Sequence, residues 1–251
     1  NNDMIISEYD LDLRRPLTPL FAHHGIGERA TEILSCLDLP YQAIDTFRKE
    51  ELQSGNGLAL FIFTDDAEIY IKEIDACIQQ YKDIFIAFFI LDFHHSPLYA
   101  KYKARWEHYN IFTTQYCSLH DNLQHYLWFF KHFIDDGGLM AMDFNDFRWF
   151  SRQSTFITAG TSPSIANPIH PVMINNHLQI LMIGIELQAQ DEGLKELGTL
   201  ATFVGKLSIQ QEMKLQVSAK VGHLHTEYVV GFEANSIGQR VSISTIFEME
   251  G

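Results

Sequence analysis

Residues 58–91, LALFIFTDDAEIYIKEIDACIQQYKDIFIAFFIL, decide the fold of this chain. Two continuous apolar runs of strand length, Leu58–Phe63 and Ile84–Leu91, are typical of strands buried on both faces of a parallel sheet. The residues between them, Ala67–Tyr81, have the pattern of a helix. A strand, a helix and another strand in succession predict a βαβ unit within an α/β fold.

The same alternation extends to both sides of this unit. Before it we predict a strand, a helix and a second strand at Leu17–His23, Glu28–Leu37 and Tyr41–Asp45, and after it a weaker strand at Asn110–Tyr116. A long helix is predicted from Ser118 to Ile134, where apolar residues recur at helical spacing. Aromatic residues at 126–130 cover so much of its circumference that we expect them to lie in a core rather than against a partner.

The pattern changes after the sequence DDGG at Asp135–Gly138, which is expected to end the long helix. Beyond it we predict two helices, at Phe147–Gln153 and Gly193–Val204, and strands at Thr155–Ala159, Leu178–Leu187, Met213–Val221, Tyr228–Phe232 and Val241–Glu248. Alternation within these strands indicates a mixed or antiparallel sheet. We therefore predict a parallel-sheet αβ domain at residues 1–117, a central helix at 118–136 and a smaller αβ domain with a mixed sheet at 137–251.

Composition argues against several classes of partner. The chain has 18 Lys and Arg against 32 Asp and Glu, a formal charge of −14, so a nucleic-acid backbone would be repelled. Membrane insertion is not expected, because no uncharged apolar stretch of about 18 residues is present. The three cysteines are far apart and in no zinc spacing, and the N-terminal segment is acidic where a signal peptide is basic. These features predict an acidic cytoplasmic protein with reduced thiols.

The segment GLMAMDFNDFRWF at Gly138–Phe150 follows the predicted central helix. It resembles the loop after the central helix of FtsZ, the bacterial homologue of tubulin, in which the family writes approximately GLINVDFADV. Asp143 and Asp146 fall on the two acidic positions, whereas Ala141 falls where the family has asparagine. Weaker similarities are collinear: YQAIDTFRKEEL from Tyr41 with AINTDAQAL, TFITAGTS from Thr155 with GMAMMGSG, and the strand after Leu178 with VLVNITGG. The resemblance implies a tubulin/FtsZ-like fold over most of the chain.

The glycine-rich loop of this family is missing. In FtsZ the strand that corresponds to Leu58–Phe63 leads into GGGTGTG, whose backbone amides hold the GTP phosphates at a helix N-terminus. Here the strand leads into Thr64, Asp65, Asp66, Ala67 and Glu68, and the three carboxylates would repel a phosphate. We therefore expect no GTP binding of the family type, no GTPase activity and no cofactor.

Two interpretations of Asp143 and Asp146 stay open from the sequence. In polymerising members of the family, the acidic residues of this loop reach the nucleotide of the next subunit. The resemblance thus implies that both residues act in trans, on FtsZ or on another copy of this chain, in cell division or filament regulation. The structural alternative makes Asp143 the N-cap of a helix and places Asp146 in its first turn. A phage or plasmid relative with a different partner is a further interpretation.

A different class of function is suggested by GIGERA at residues 25–30, a GxGxxA sequence between the first predicted strand and helix. Asp45 lies 20 residues after Gly25, at the end of the second predicted strand. In dinucleotide-binding folds the glycines admit the pyrophosphate and the acid binds the ribose. Gly25, Gly27 and Asp45 therefore predict, as the alternative, an NAD(P)-dependent enzyme, and a tight glycine turn is the structural explanation of the same residues.

The sequence spacing of histidines and cysteines argues against a metal site and against a nucleophilic catalytic site. His223 and His225 would project from one face of a strand, but no third ligand lies at a supporting spacing. Cys117, His120 and Asp121 are neighbours in sequence, whereas a catalytic triad usually assembles from distant segments. We expect neither a metal nor a nucleophilic site. The leading prediction is a non-enzymatic tubulin/FtsZ-like protein that acts by protein–protein contact.

Overall fold

The computed structural model describes residues 19–94, 106, 111–116, 120–136, 143–153, 156–162, 180–187, 214–221 and 225–232. In chain order the elements are β1 (Pro19–Ile26), α1 (Glu28–Cys36), α2 (Lys49–Ser54), β2 (Asn56–Thr64), α3 (Ile71–Tyr81), β3 (Phe85–Asp92), β4 (Ile111–Tyr116), α4 (His120–Phe130), α5 (Phe144–Gln153), β5 (Phe156–Ser162), β6 (Ile180–Leu187), β7 (Lys214–Val221) and β8 (His225–Phe232). A 3₁₀ turn at Ile44–Thr46 precedes α2, and a π-helical turn at Lys131–Asp135 extends α4.

The eight described strands form one sheet in the order β1-β2-β3-β4-β5-β8-β6-β7. Strands β1 to β5 pair in parallel with their successive neighbours, whereas β8 is antiparallel to both β5 and β6. Helices lie between β1, β2 and β3, as parallel neighbours require. The predicted α/β fold with a parallel sheet is confirmed.

Alternate residues of the central strands enter two separate cores. In β2, Phe61 and Phe63 face a core that α1, α4 and α5 cover, and Leu60 and Ile62 face a core that α3 covers. All four side chains are buried. Because both faces are covered, β2 and β3 have continuous apolar sequences instead of alternating ones.

Aromatic side chains fill the first core beneath α4. The ring centroid of Phe130 lies 4.8 Å from that of Phe147 and 5.1 Å from that of Phe61. Phe130, Tyr126 and Phe129 are completely buried. The prediction that the aromatic run of this helix lies in a core is therefore confirmed for these three residues, whereas Trp128 is partly exposed and donates to the Asp38 carbonyl at 3.0 Å.

The predicted strand at Tyr41–Asp45 was wrong. Within this segment, Ala43 alone bridges to His23 of β1, and the chain enters the 3₁₀ turn at Ile44. The Ile44 side chain is buried in the second core, which draws the backbone away from β1 after a single pairing.

Other predictions fall at or beyond the limits of the described residues. The segments Gly193–Val204 and Val241–Glu248 lie outside them. β4 and β5 pair at Gln115 with Phe156 and at Tyr116 with Ile157, so the sheet continues across residue 137. The division into domains at that residue stays a prediction. Among the described residues, no helix is long and apolar enough to span a membrane.

Candidate functional site

The carboxyl ends of three parallel strands meet at one edge of the sheet. β1, β2 and β3 pair there in a row through Ile26, Thr64 and Asp92. This edge is where open parallel sheets bind their ligands, because loops and helix N-termini converge on it. The register therefore brings the glycine turn after β1 next to the acidic segment after β2.

A carboxylate occupies the N-terminus of α1. Asp65 accepts hydrogen bonds from the backbone amides of Arg29, at 3.0 Å, and of Ala30. The Asp65 amide donates in turn to the carbonyl of Ile26, at 3.2 Å. The first amides of a helix are without helical partners and attract anions, so Asp65 fills the position that a phosphate would take at this helix.

Gly27 allows this close approach. It is the residue before α1 and has φ +102° and ψ 156°, a backbone conformation that residues other than glycine rarely adopt. A Cβ atom at Gly27 would lie 2.5 Å from Oδ2 of Asp65. The second glycine of the GxGxxA sequence thus makes room for a carboxylate of the same chain.

Asp66 stabilises the turn that leads into α3. Its Oδ1 accepts the amides of Glu68 at 2.9 Å and Ile69 at 3.2 Å, in the manner of a helix cap. Its Oδ2 lies 3.8 Å from Nε2 of His94. Asp65 and Asp66 therefore both accept hydrogen bonds from backbone amides.

A buried polar pair, missed by the sequence reasoning, lies beside these loops. Thr64 and Asp92 are 0% and 2% exposed and are directly paired in register. Asp92 Oδ1 accepts the amide of His94 at 2.9 Å, while Asp92 Oδ2 and Thr64 Oγ1 have no hydrogen-bond partner among the described residues. Burial raises the pKa of Asp92 to about 6, although the amides of His94 and Ala67 oppose the shift. The sequence contains a signal for this pair, because both residues are polar and each directly follows a continuous apolar run.

A cavity of about 270 Å³ lies between α1 and the edge of β1. It brings together Gly25 and Asp45, the residues of the dinucleotide alternative, with His23, His24, Thr31 and Ser35. Burial lowers the pKa of His23, with the Tyr41 carbonyl and Asp45 acting in the opposite direction. Burial also lowers the pKa of His24, against the effect of Asp45. Both rings are therefore neutral at pH 7.

Asp143 and Asp146 hold each other's backbone at the start of α5. The Asp146 amide donates to Asp143 Oδ1 at 2.8 Å, and the Asp143 amide donates to Asp146 Oδ2 at 3.0 Å. This reciprocal pattern is a capping box, in which two otherwise unpaired helix amides are satisfied. The geometry supplies the structural role predicted for both residues, and Asp143 remains exposed to solvent.

The remaining candidates have little described structure. His225 begins β8, and His223, Cys117 and the segment 137–142 lie outside the described residues. Within the described ranges, no group of three or more His, Cys, Asp or Glu side chains is arranged to hold a metal ion.

No protein-family model matches the chain, and no curated protein matches it. Among solved structures it is similar to CetZ from Methanosaeta thermophila strain DSM 6194, with 14% identity and a TM-score of 0.35 over 96% of this chain and 70% of that chain. An empty FtsZ dimer of M. jannaschii is 11% identical, with a TM-score of 0.32 over 84% of this chain and 62% of its own. A point mutant of FtsZ (M. jannaschii) is 13% identical, with a TM-score of 0.33 over 85% of this chain and 65% of its own. The chain thus spans less than two thirds of both FtsZ chains.

Proposed function

We propose that this chain is a non-enzymatic tubulin/FtsZ-like protein that acts by protein–protein contact and does not bind GTP in the family's manner. The observation that carries the proposal is the use of the two carboxylates directly after β2, where the resemblance expects the phosphate loop: Asp66 accepts the amides of Glu68 and Ile69, and Asp65 accepts amides at the N-terminus of α1. A nucleotide phosphate at this helix would have to displace a group that already satisfies its amides.

Two physical effects favour Asp65 over a phosphate. The carboxylate belongs to the same chain and is held beside these amides by the pairing of β1 with β2, so a phosphate would have to displace an intramolecular group. It is also negatively charged, as are the neighbouring Asp66 and Glu68, so a phosphate that came close without displacing it would be repelled. The site is closed by the chain's own anion, which leaves association with another protein as the proposed activity.

The proposed partner is FtsZ or a second copy of this chain, and the proposed contact residues are Asp143 and Asp146. The capping box complicates an alanine test, because alanine removes the charges and the caps together. Asparagine separates the two effects: Asp143→Asn with Asp146→Asn removes both charges and keeps an oxygen acceptor for each amide. Asparagine is also as good an N-cap as aspartate.

Association is tested by co-sedimentation with FtsZ of the same organism and by sedimentation velocity of the chain alone. If the carboxylates act in trans, the double asparagine variant should stay folded, melt only a few degrees below the parent chain because two charges leave the helix N-terminus, and lose association. Equal association of parent and asparagine variant would contradict a role of these charges. Absence of both association with FtsZ and self-association in the parent chain would contradict the proposed function itself.

Nucleotide binding is tested by thermal melts of the parent chain with GTP, GDP, NAD or NADP and magnesium. A ligand at about 100 times its dissociation constant stabilises by roughly 2.7 kcal/mol, which is several degrees for a chain of this size. We expect no shift with GTP or GDP. A shift with either would overturn the proposal that Asp65 closes the phosphate site.

The dinucleotide enzyme remains the second candidate, because Gly25 and Asp45 line one cavity. Its pyrophosphate would meet the same Asp65 carboxylate beside Gly27. A melt shift with NAD or NADP that is absent in Asp45→Ala would favour this candidate, and no shift with either cofactor would remove it.

A further inference from the structure

We infer that the cavity between α1 and the edge of β1 binds a small organic cation that carries a guanidinium or primary amine group. This site is separate from the partner contact of the proposed function and does not depend on it. The side chains that line the cavity offer hydrogen-bond acceptors, include the Asp45 carboxylate and enclose about 270 Å³.

The lining side chains offer acceptors with few available protons. The single hydroxyl proton of Thr31 is donated to the carbonyl of Gly27 at 2.7 Å, and that of Ser35 to the carbonyl of Glu32 at 2.7 Å. Each oxygen therefore has only acceptor capacity left for a ligand. The Asp45 carboxylate adds two further acceptor oxygens.

His23 adds an acceptor of a different kind. The ring is 8% exposed, and its Nδ1 is buried without a hydrogen-bond partner among the described residues. A neutral imidazole that donates through one nitrogen accepts through the other. When the unpaired Nδ1 is the accepting nitrogen, it requires a donor, which an amine or a guanidinium supplies and a carboxylate does not.

The charge of the cavity lining favours a positively charged ligand over a neutral one with the same hydrogen-bond donors. The lining residues include Asp45 but no Lys or Arg, and burial keeps the rings of His23 and His24 neutral at pH 7. The formal charge of the whole chain is −14. A positive ligand is therefore attracted both locally and at longer range, and an anionic ligand is repelled.

The volume of the cavity and its apolar lining indicate the size and the apolar part of the ligand. Leu34 and Ala43 contribute apolar surface, and Gly25 contributes no side chain, since a Cβ there would lie 2.9 Å from Leu34 Cδ1. The volume of about 270 Å³ is slightly below the usual range for drug-sized ligands. A short alkyl chain that ends in a guanidinium or amine fits this combination.

Agmatine is the probe, tested against the full chain by isothermal titration calorimetry at pH 7.5. Pentane-1,5-diol serves as the neutral comparator of similar length and glutarate as the anionic one. We expect saturable agmatine binding with a dissociation constant on the order of 1 mM, as suits a ligand of this size, and no saturable binding of either comparator. Equal binding of the diol, binding of glutarate, or no agmatine binding up to roughly ten times that concentration would overturn the inference.

Three variants locate the site. Asp45→Asn should weaken agmatine binding roughly fivefold, which corresponds to about 1 kcal/mol for an exposed ion pair. Ser35→Leu projects a larger side chain into the cavity from the exposed side of α1 and should abolish binding. Asp83→Asn removes an exposed carboxylate outside the cavity and should bind like the parent chain. Binding by Asp45→Asn equal to that of the parent, or a loss in Asp83→Asn as large as that in Asp45→Asn, would contradict the assignment.

Discussion

Replacement of Asp65 by alanine should both destabilise the chain and open its phosphate position. The side chain accepts the amides of Arg29 and Ala30 at the N-terminus of α1. Loss of such a cap costs about 1 kcal/mol, and loss of a negative charge at the positive end of a helix costs up to about another 1 kcal/mol. For a chain of this length, a loss of about 1–2 kcal/mol lowers the melting temperature by roughly 2–8 °C.

One variant separates the hydrogen bonds of the helix cap from its negative charge, and a second variant serves as a surface control. Asp65→Asn keeps an oxygen acceptor and removes the charge, so it should lose about half as much stability as Asp65→Ala. Asp83→Ala changes an exposed aspartate that caps none of the described helices and should melt within about 0.5 kcal/mol of the parent. Equal melting of parent and Asp65→Ala would refute the view that this carboxylate stabilises α1.

The second readout is the response to pyrophosphate with magnesium. The parent chain should show no shift, because Asp65 holds the amides, whereas Asp65→Ala exposes them to solvent and should gain a positive shift. Asp65→Asn should give a smaller gain, since its amide side chain still competes but no longer repels the ligand. Equal shifts in parent and Asp65→Ala would show that the carboxylate does not exclude phosphate.

Three further predictions test the buried groups, each by urea unfolding. Asp92 has a folded pKa of about 6 against an ordinary 3.8, so its folded state binds the proton more tightly and this contribution to stability falls as pH rises from about 4 to 6. Above pH 6 the folded state carries the full cost of burying the charged carboxylate, at most about 3 kcal/mol. Asp92→Asn should therefore raise the free energy of unfolding by about 1–2 kcal/mol at pH 7.5 and leave it nearly unchanged at pH 4. An equal gain in stability at both pH values would contradict this. Phe130→Ala should cost about 3–5 kcal/mol because the ring is completely buried, and a loss below about 1 kcal/mol would be incompatible with the described core. Gly27→Ala should lower the free energy of unfolding by more than about 1 kcal/mol, because φ is positive and the new Cβ atom would overlap the Asp65 side chain. Part of this loss should disappear when Asp65 is also replaced by alanine, and strict additivity of the two losses would exclude the overlap.

Local sequence was sufficient for the elements that are buried on two faces. Leu58–Phe63 and Ile84–Leu91 could be identified as parallel strands because full burial leaves a continuous apolar run, and the structure differs from them only slightly, with strands at Asn56–Thr64 and Phe85–Asp92. The segment Tyr41–Asp45 was also predicted as a strand, but its pairing depended on where the Ile44 side chain is buried, which no local pattern specifies.

The sequence by itself determined an α/β fold with a parallel sheet and the position of three acidic residues, Asp65, Asp66 and Glu68, directly after a buried strand. It also identified Gly25, Gly27 and Asp45 as a group, although it associated all three with one cofactor. Only the tertiary structure decided that Asp65, which follows Arg29 by 36 residues, caps α1, because strand pairing places the ends of β1 and β2 side by side. The pairing of β2 with β3 sets Thr64 beside Asp92. Gly27, which leaves room for Asp65, is not among the residues that line the cavity shared by Gly25 and Asp45. Hydrogen bonds and charges act over a few ångströms in space, and distances along the chain do not predict which groups come that close.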